Sequence, residues 1–141
     1  MKIQIINGPN LNILGQRQPE IYGSETFESF LKKLRKQYSE IQIDYYQSNS
    51  EGALIDKIQS AQNTANGIII NAAAYSHTSV AIGDALAAGK IPAVEVHISN
   101  IYKRESFRHR SHTAPNCTAS ISGMGLHGYK AALNFLIDLS S

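Results

Sequence analysis

Short β-branched runs alternate with apolar residues at helical spacing along the chain, and that alternation restricts the fold more than any other feature. Lys2-Ile3-Gln4-Ile5-Ile6-Asn7 reads as a first strand, ended by Gly8-Pro9. Phe27, Phe30, Leu31, Leu34 and Tyr38 then recur as a helix stripe, with Ser24 or Thr26 as cap and Lys32, Lys33, Arg35 and Lys36 on the solvated face. Ile41-Gln42-Ile43-Asp44-Tyr45 alternates as a half-buried strand, and Leu54, Ile58 and Ala61 repeat as a second helix stripe after Ser50. Gly67-Ile68-Ile69-Ile70-Asn71 is apolar enough to predict a central strand covered on both faces. Thr78 or Ser79 caps a small-residue helix (Val80, Ile82, Ala85, Leu86) that Gly89 closes at C′. Ala93-Val94-Glu95-Val96-His97-Ile98 is a fourth strand, Thr118 to Ser122 a weaker fifth, and Tyr129 to Leu139 a closing helix.

Strand–helix–strand crossovers imply parallel pairing of one hand. The expectation is therefore an α/β fold, a flavodoxin-like three-layer sandwich whose five-stranded parallel sheet carries helices on both faces. Residues 1–141 read as a single domain: 43% of the residues are apolar and 17% charged, enough to bury a core. No run of about 18 apolar residues suits a membrane span, and the first residues are too soon interrupted for a signal peptide, so the chain reads as cytoplasmic. The formal charge of +2 comes from dispersed residues, which disfavours nucleic acid as a partner. One cysteine, Cys117, excludes an internal disulfide and a thiolate-rich zinc site. The Asn116-Cys117-Thr118 sequon is a chance match without an export signal.

In an open parallel sheet ligands bind beyond the carboxyl ends of the strands, and those ends are polar here. Asn7, Asn10 and Asn12 follow the first strand; Asn71, Tyr75, Ser76 and His77 the third; Glu95, His97, Ser99 and Asn100 the fourth. One convergent site explains them together, while turn chemistry is the plainer account of Asn7, Asn10 and Asn71. Gly123-Met124-Gly125-Leu126-His127-Gly128 fits GxGxxG, but the chain ends before a further strand or ribose-binding acid can follow, so these read as turn and packing glycines. Glu95, His97, His109 and His112 lack metal-ligand spacing, and pairing of Glu95 with the His97 imidazole accounts for two of them better. Ser76-His77 has no hydrolase elbow around it. A Ser-His-Thr tripeptide at 76–78 and again at 111–113 is coincidence, not a repeat.

The segment from Asn7 to Gly23 is long for a simple connection, which is typical of a functional lid. It carries Arg17 and Tyr22. A phenol with a pKa near 10 is only about 0.1% ionised at neutral pH, so Tyr22 can act as a base only beside a cation such as Arg17. Spacing alone favours a packed loop aromatic.

The blocks Gly8-Pro9-Asn10-Leu11-Asn12-Ile13-Leu14-Gly15, Arg17, Pro19-Glu20-Ile21-Tyr22-Gly23, Gln47-Ser48-Asn49-Ser50-Glu51-Gly52, Tyr75-Ser76-His77-Thr78-Ser79, Glu95-Val96-His97-Ile98-Ser99-Asn100 and Glu105-Ser106-Phe107-Arg108 together resemble the type II 3-dehydroquinate dehydratases. They run the length of the chain in order. The resemblance implies an anti elimination of water from 3-dehydroquinate through an enolate, giving 3-dehydroshikimate in aromatic amino-acid biosynthesis, with no cofactor and no metal. Tyr22 then resembles the tyrosinate base and Arg17 the lid cation that acidifies it. His97 resembles the general acid, oriented by Glu95, and Asn10 the residue that places a water at the enolate oxygen. Asn71, His77 and Arg108 resemble hydroxyl-binding residues, and Ile98 and Ser99 a carboxylate clamp. Asp84 resembles a residue contributed toward a neighbouring subunit of a homododecamer built from four trimers.

Three positions depart from the family's pattern. Ala72-Ala73 replaces a commoner Pro-Gly, Gln18 a frequent Glu, and Gly83 a frequent Arg. Gly83 is expected to weaken its helix by about 1 kcal/mol and to alter a subunit contact. Two other classes remain on the residues alone: a flavin- or phosphate-holding module, which the Pro9-bearing loop suits poorly, and a structural oligomerisation domain, which leaves the polar strand ends unexplained.

Overall fold

A computed structural model describes residues 1–16 and 18–141. Strands β1 (Lys2–Asn7), β2 (Gln42–Gln47), β3 (Gly67–Asn71), β4 (Ala93–His97) and β5 (Ala119–Ser122) form one parallel sheet in the order β2-β1-β3-β4-β5. The chain steps one way from β1 to β2 and the other way to β3, so a crevice opens beyond the carboxyl ends of β1 and β3. There Asn7 lies in register with Gln47 on one side and Asn71 on the other.

Two cores flank the sheet, as the flavodoxin-like expectation requires. On one face Ile3, Ile5, Ile69, Val94 and Val96 pack under α2 (Phe27–Gln37) and α5 (His127–Ser140) through Phe27, Leu31, Leu34, Tyr129, Leu133 and Leu136. Phe27 stacks on Tyr45 and meets Tyr129 edge-on, with ring centroids 4.8 and 4.9 Å apart. On the other face Ile6, Ile68, Ile70 and Ala93 pack under α3 (Glu51–Thr64) and α4 (Val80–Ala87) through Leu54, Ile58, Ile82 and Leu86. Side chains alternate between the two faces along β4, so with Val94 and Val96 on the α5 side, Glu95 and His97 share the α4 side.

Helix starts follow side-chain chemistry. Thr26, Ser50 and Ser79 each accept a first-turn backbone N–H, at 3.2, 3.3 and 3.0 Å. Thr26 rather than Ser24 caps α2, and Ser79 rather than Thr78 caps α4. Several boundaries shift from their sequence expectation: β2 starts and ends later, and α5 starts two residues earlier. The long segment after β1 holds a 3-10 turn at Leu11–Ile13 and the single-turn helix α1 (Pro19–Tyr22).

Two glycines work differently from the expectation. Gly89 follows the α4 cap without a left-handed φ; a Cβ there would lie 2.4 Å from Gln62 Nε2, whose amide oxygen accepts the Lys90 and Ile91 N–H groups. Gly83 is buried, and a Cβ would sit 2.4 Å from the His112 carbonyl oxygen. Its lack of a side chain is what lets α4 approach the 112–116 segment of the same chain.

Candidate functional site

The carboxyl ends of β1, β3 and β4 surround a polar cleft. Asn10, Tyr22, Asn71, His77, His97, Ile98, Ser99 and Arg108 all line it. Arg17 lies outside the described residues. Asp84 is exposed on α4 and does not line its own chain's cavity. Of the other polar strand-end residues, Asn7 is buried behind the site, Asn12 is exposed, and Asn100 caps the Ile101–Lys103 turn through the Tyr102 N–H.

The wall after β1 depends on close backbone approach. Gly8 donates its N–H to the Asn71 carbonyl at 2.7 Å, and a Cβ on Gly8 would lie 2.5 Å from the Ala72 oxygen. Any larger residue would push β1 and β3 apart where the crevice opens. Asn10 follows in the left-handed region with φ 70°, an angle Asn tolerates, and its N–H is held by Asn49 Oδ1 at 3.0 Å. Gln47 braces the same turn by donating to the Gly8 carbonyl and to Asn49 Oδ1, each at 3.1 Å.

At the end of β3, the buried Asn71 side chain is used on both sides. Its Nδ2 donates to Tyr129 Oη at 2.9 Å, its Oδ1 accepts the Ala73 N–H at 3.0 Å, and Tyr129 in turn donates to Asn7 Oδ1 at 2.8 Å. Ala73 occupies φ +54°, where a Cβ is strained and where the family's commoner glycine would not be. Within the Ala73–His77 turn, His77 Nδ1 lies 2.8 Å from the Arg110 carbonyl. A carbonyl only accepts, so Nδ1 carries the proton and Nε2 is the ring's acceptor. Burial pulls the His77 imidazole below the usual histidine range, outweighing that carbonyl.

At the end of β4, His97 Nε2 stands 3.1 Å from Glu95 Oε1, inside ion-pair range but off the line of a good N–H···O bond. Both side chains are buried, and the His97 ring stacks on His77 with centroids 5.7 Å apart. Burial alone would push the Glu95 carboxyl up; the His97 imidazole and the Ser111 and Thr113 hydroxyls outweigh it and hold the pKa at about 2. Glu95 is therefore a carboxylate at neutral pH.

Arg104 carries no expectation from sequence, yet it lines the cavity. Its Nη1 donates to Tyr22 Oη at 2.8 Å and to Ser99 Oγ at 3.2 Å, with the guanidinium carbon 5.4 Å from the centre of the Tyr22 ring. Arg108 Nε donates to both Glu105 oxygens at 3.3 Å, which leaves the rest of its fork at the cavity wall. The two Ser-His-Thr segments touch: the His112 N–H bonds to the Ser76 carbonyl at 2.7 Å, bringing 111–113 behind β4. That contact, not repetition, is their relation.

Fold and site together define an α/β protein with a polar small-molecule site at the topological switch point of its sheet. The family model Dehydroquinase class II matches residues 1–137. A 3-dehydroquinate dehydratase of Acaryochloris marina (strain MBIC 11017) is 56% identical over 137 residues, 96% of this chain and 92% of that protein. One from Campylobacter jejuni subsp. jejuni serotype O:2 (strain ATCC 700819 / NCTC 11168) is 50% identical over 141 residues, 99% of this chain and 89% of that protein. The crystal structure of type II dehydroquinase from Butyrivibrio crossotus DSM 2876 superposes with a TM-score of 0.94 at 50% identity, covering 97% of both chains. The chain belongs to the class II dehydroquinases.

Proposed function

We propose that this chain is a hydro-lyase that converts 3-dehydroquinate to 3-dehydroshikimate by anti elimination through an enolate, in aromatic amino-acid biosynthesis, with residues 1–141 acting as one domain. Family membership supports the reaction, and the carrying observation is a cavity lined both by His97, which the buried Glu95 backs, and by a phenol that accepts a guanidinium N–H. A tyrosinate at Tyr22 takes the carbon-bound hydrogen next to the ketone. The electron pair moves to the ketone oxygen, where Asn10 holds a water against the developing charge. His97 then protonates the departing hydroxyl as the C–O bond breaks, and Glu95 orients its imidazole.

Asn71, His77 and Arg108 bind the substrate's hydroxyls, and Ile98 and Ser99 clamp its carboxylate. Arg17 is the lid cation of this reading, and the Arg104 guanidinium donates to the Tyr22 oxygen beside it in the cleft. No helix among the described residues is long and apolar enough to cross a membrane, in keeping with a cytoplasmic enzyme. The assembly is a homododecamer of four trimers in which Asp84 serves a neighbouring copy's site.

The test is a steady-state assay of purified protein with 3-dehydroquinate, paired with light scattering. The conjugated product raises the ultraviolet absorbance. A colourless protein with that rise is expected; a yellow protein without it would replace the lyase by a flavin-binding module.

A further inference from the structure

We infer that Ser111, Thr113 and Ser120 form a hydroxyl cradle that fixes the Glu95 carboxylate and thereby sets the tilt of His97, which makes them positioning residues for proton delivery. This inference rests on the dehydratase reading for its catalytic consequence, but its geometry stands by itself.

Glu95 is 1% exposed, so its carboxylate must find its donors within the protein. Oε1 accepts Ser111 Oγ–H at 2.6 Å and the Thr113 hydroxyl, and Oε2 accepts Ser120 Oγ–H at 2.7 Å. The Ser111 proton has little choice of direction. Its oxygen accepts the Thr113 and Ala114 N–H groups at 3.2 and 3.0 Å and lies 3.0 Å from the Thr113 hydroxyl; of the acceptors left to its O–H, the Glu95 carboxylate is the nearer and the charged one. Thr113 is completely buried, so no water can take over its place. The donors come from two separate segments, the 111–114 loop and β5, and close on the carboxylate from both. Three charge-assisted bonds hold its plane, and the imidazole contacts the same Oε1 that two of the hydroxyls grip.

The cradle acts through charge as well as position. Removing a hydroxyl makes ionised Glu95 less favourable, which raises the pH at which the carboxylate is lost as the partner of His97. The other ionisable groups around the pair are His77, stacked on His97 and influenced by Arg108, and the Cys117 thiol, which burial pushes up to about 12. Cys117 therefore stays neutral through the working range and leaves Glu95 as the negative partner of His97.

Thr113→Val removes one hydroxyl at nearly constant volume. We expect kcat to fall about 10- to 100-fold with KM within about twofold, and the acid limb of kcat/KM to move to higher pH, with Thr113→Ser restoring both. In the ligand-free protein at neutral pH, the nitrogen NMR shifts of the His97 ring should differ between Thr113→Val and wild type, because the carboxylate that orients the ring has lost a donor, and should return in Thr113→Ser. A fall in kcat with an unmoved pH profile and unmoved His97 ring shifts would reduce the hydroxyls to packing and overturn the inference. Ser120→Ala, on the solvent side of β5, gives the same readouts in smaller measure should Thr113→Val not fold. If wild type shows no dehydration while the His97 ring shifts still move on Thr113→Val, the dehydratase reading falls and the cradle stands.

Discussion

The β4 wall and the loop wall of the cavity are held by different forces. Glu95 and His97 sit on a central strand, 1% and 5% exposed, with hydroxyls, a second imidazole and the α4 layer packed around them. Tyr22 sits at the end of a single helical turn whose residues Pro19 and Glu20 are exposed, and the Arg104 guanidinium ties its hydroxyl to Ser99 on the body. A group on a buried strand inherits its orientation from the fold, and altering it disturbs stability and charge together. A group on a loop owes its place to a few side-chain contacts, so its chemistry can be removed while the fold remains.

That contrast is sharpest at Tyr22. Tyr22→Phe should lower kcat by about 1,000-fold or more while substrate still binds and the melting temperature barely moves, since the ring keeps its packing against the Leu11 and Leu14 side of the core. Turnover near wild type would take Tyr22 out of the reaction. On the β4 wall the larger effect is on stability. The folded pKa of Glu95 lies at about 2 against an ordinary 4.5, so its contribution is complete above pH 4.5 and is lost as pH falls toward 2. The gap corresponds to roughly 3 kcal/mol. Wild-type urea midpoints should fall steeply through that window, whereas Glu95→Gln should be less stable at pH 7 and nearly flat below it. Parallel curves would mean the carboxylate is not what couples this wall to the core.

The smallest expected effect joins the two walls, at Ala73. Replacing this strained φ +54° alanine by glycine should raise stability by about 0.5–1 kcal/mol, relief of the Cβ clash exceeding the added freedom of the unfolded chain. An unchanged or lower midpoint would show that the turn holds alanine without strain.

Much of this was legible in one dimension because it is periodic or local. Ile3 and Ile5 against Ile6, or Leu54 and Ile58, announce strand faces and helix stripes by spacing, and Asn10, Asn71, His77 and His97 announce a site because polar residues crowd the ends of otherwise apolar strands. Arg104 was not legible: its partner Tyr22 is 82 residues away, and it sits beside a short 3-10 turn with no repeating pattern. The cradle was hidden for the same reason, since a serine and a threonine in a Ser-His-Thr segment look like any polar loop until the loop is folded behind β4. The close approach of Gly83 to the His112 carbonyl was hidden likewise.

Local order therefore belongs to the chain as written: which segments are strands, which are helices, which faces turn inward, and that the strand ends are where polar groups gather. These follow from side-chain spacing and backbone preference, which act over a few residues. What awaited three dimensions is partnership, namely which arginine reaches the Tyr22 phenol, which hydroxyls grip Glu95 and which alanine bears a glycine's backbone angle. Such pairings depend on distances of a few ångströms between residues far apart in sequence, and only the packed sheet and its loops set those distances.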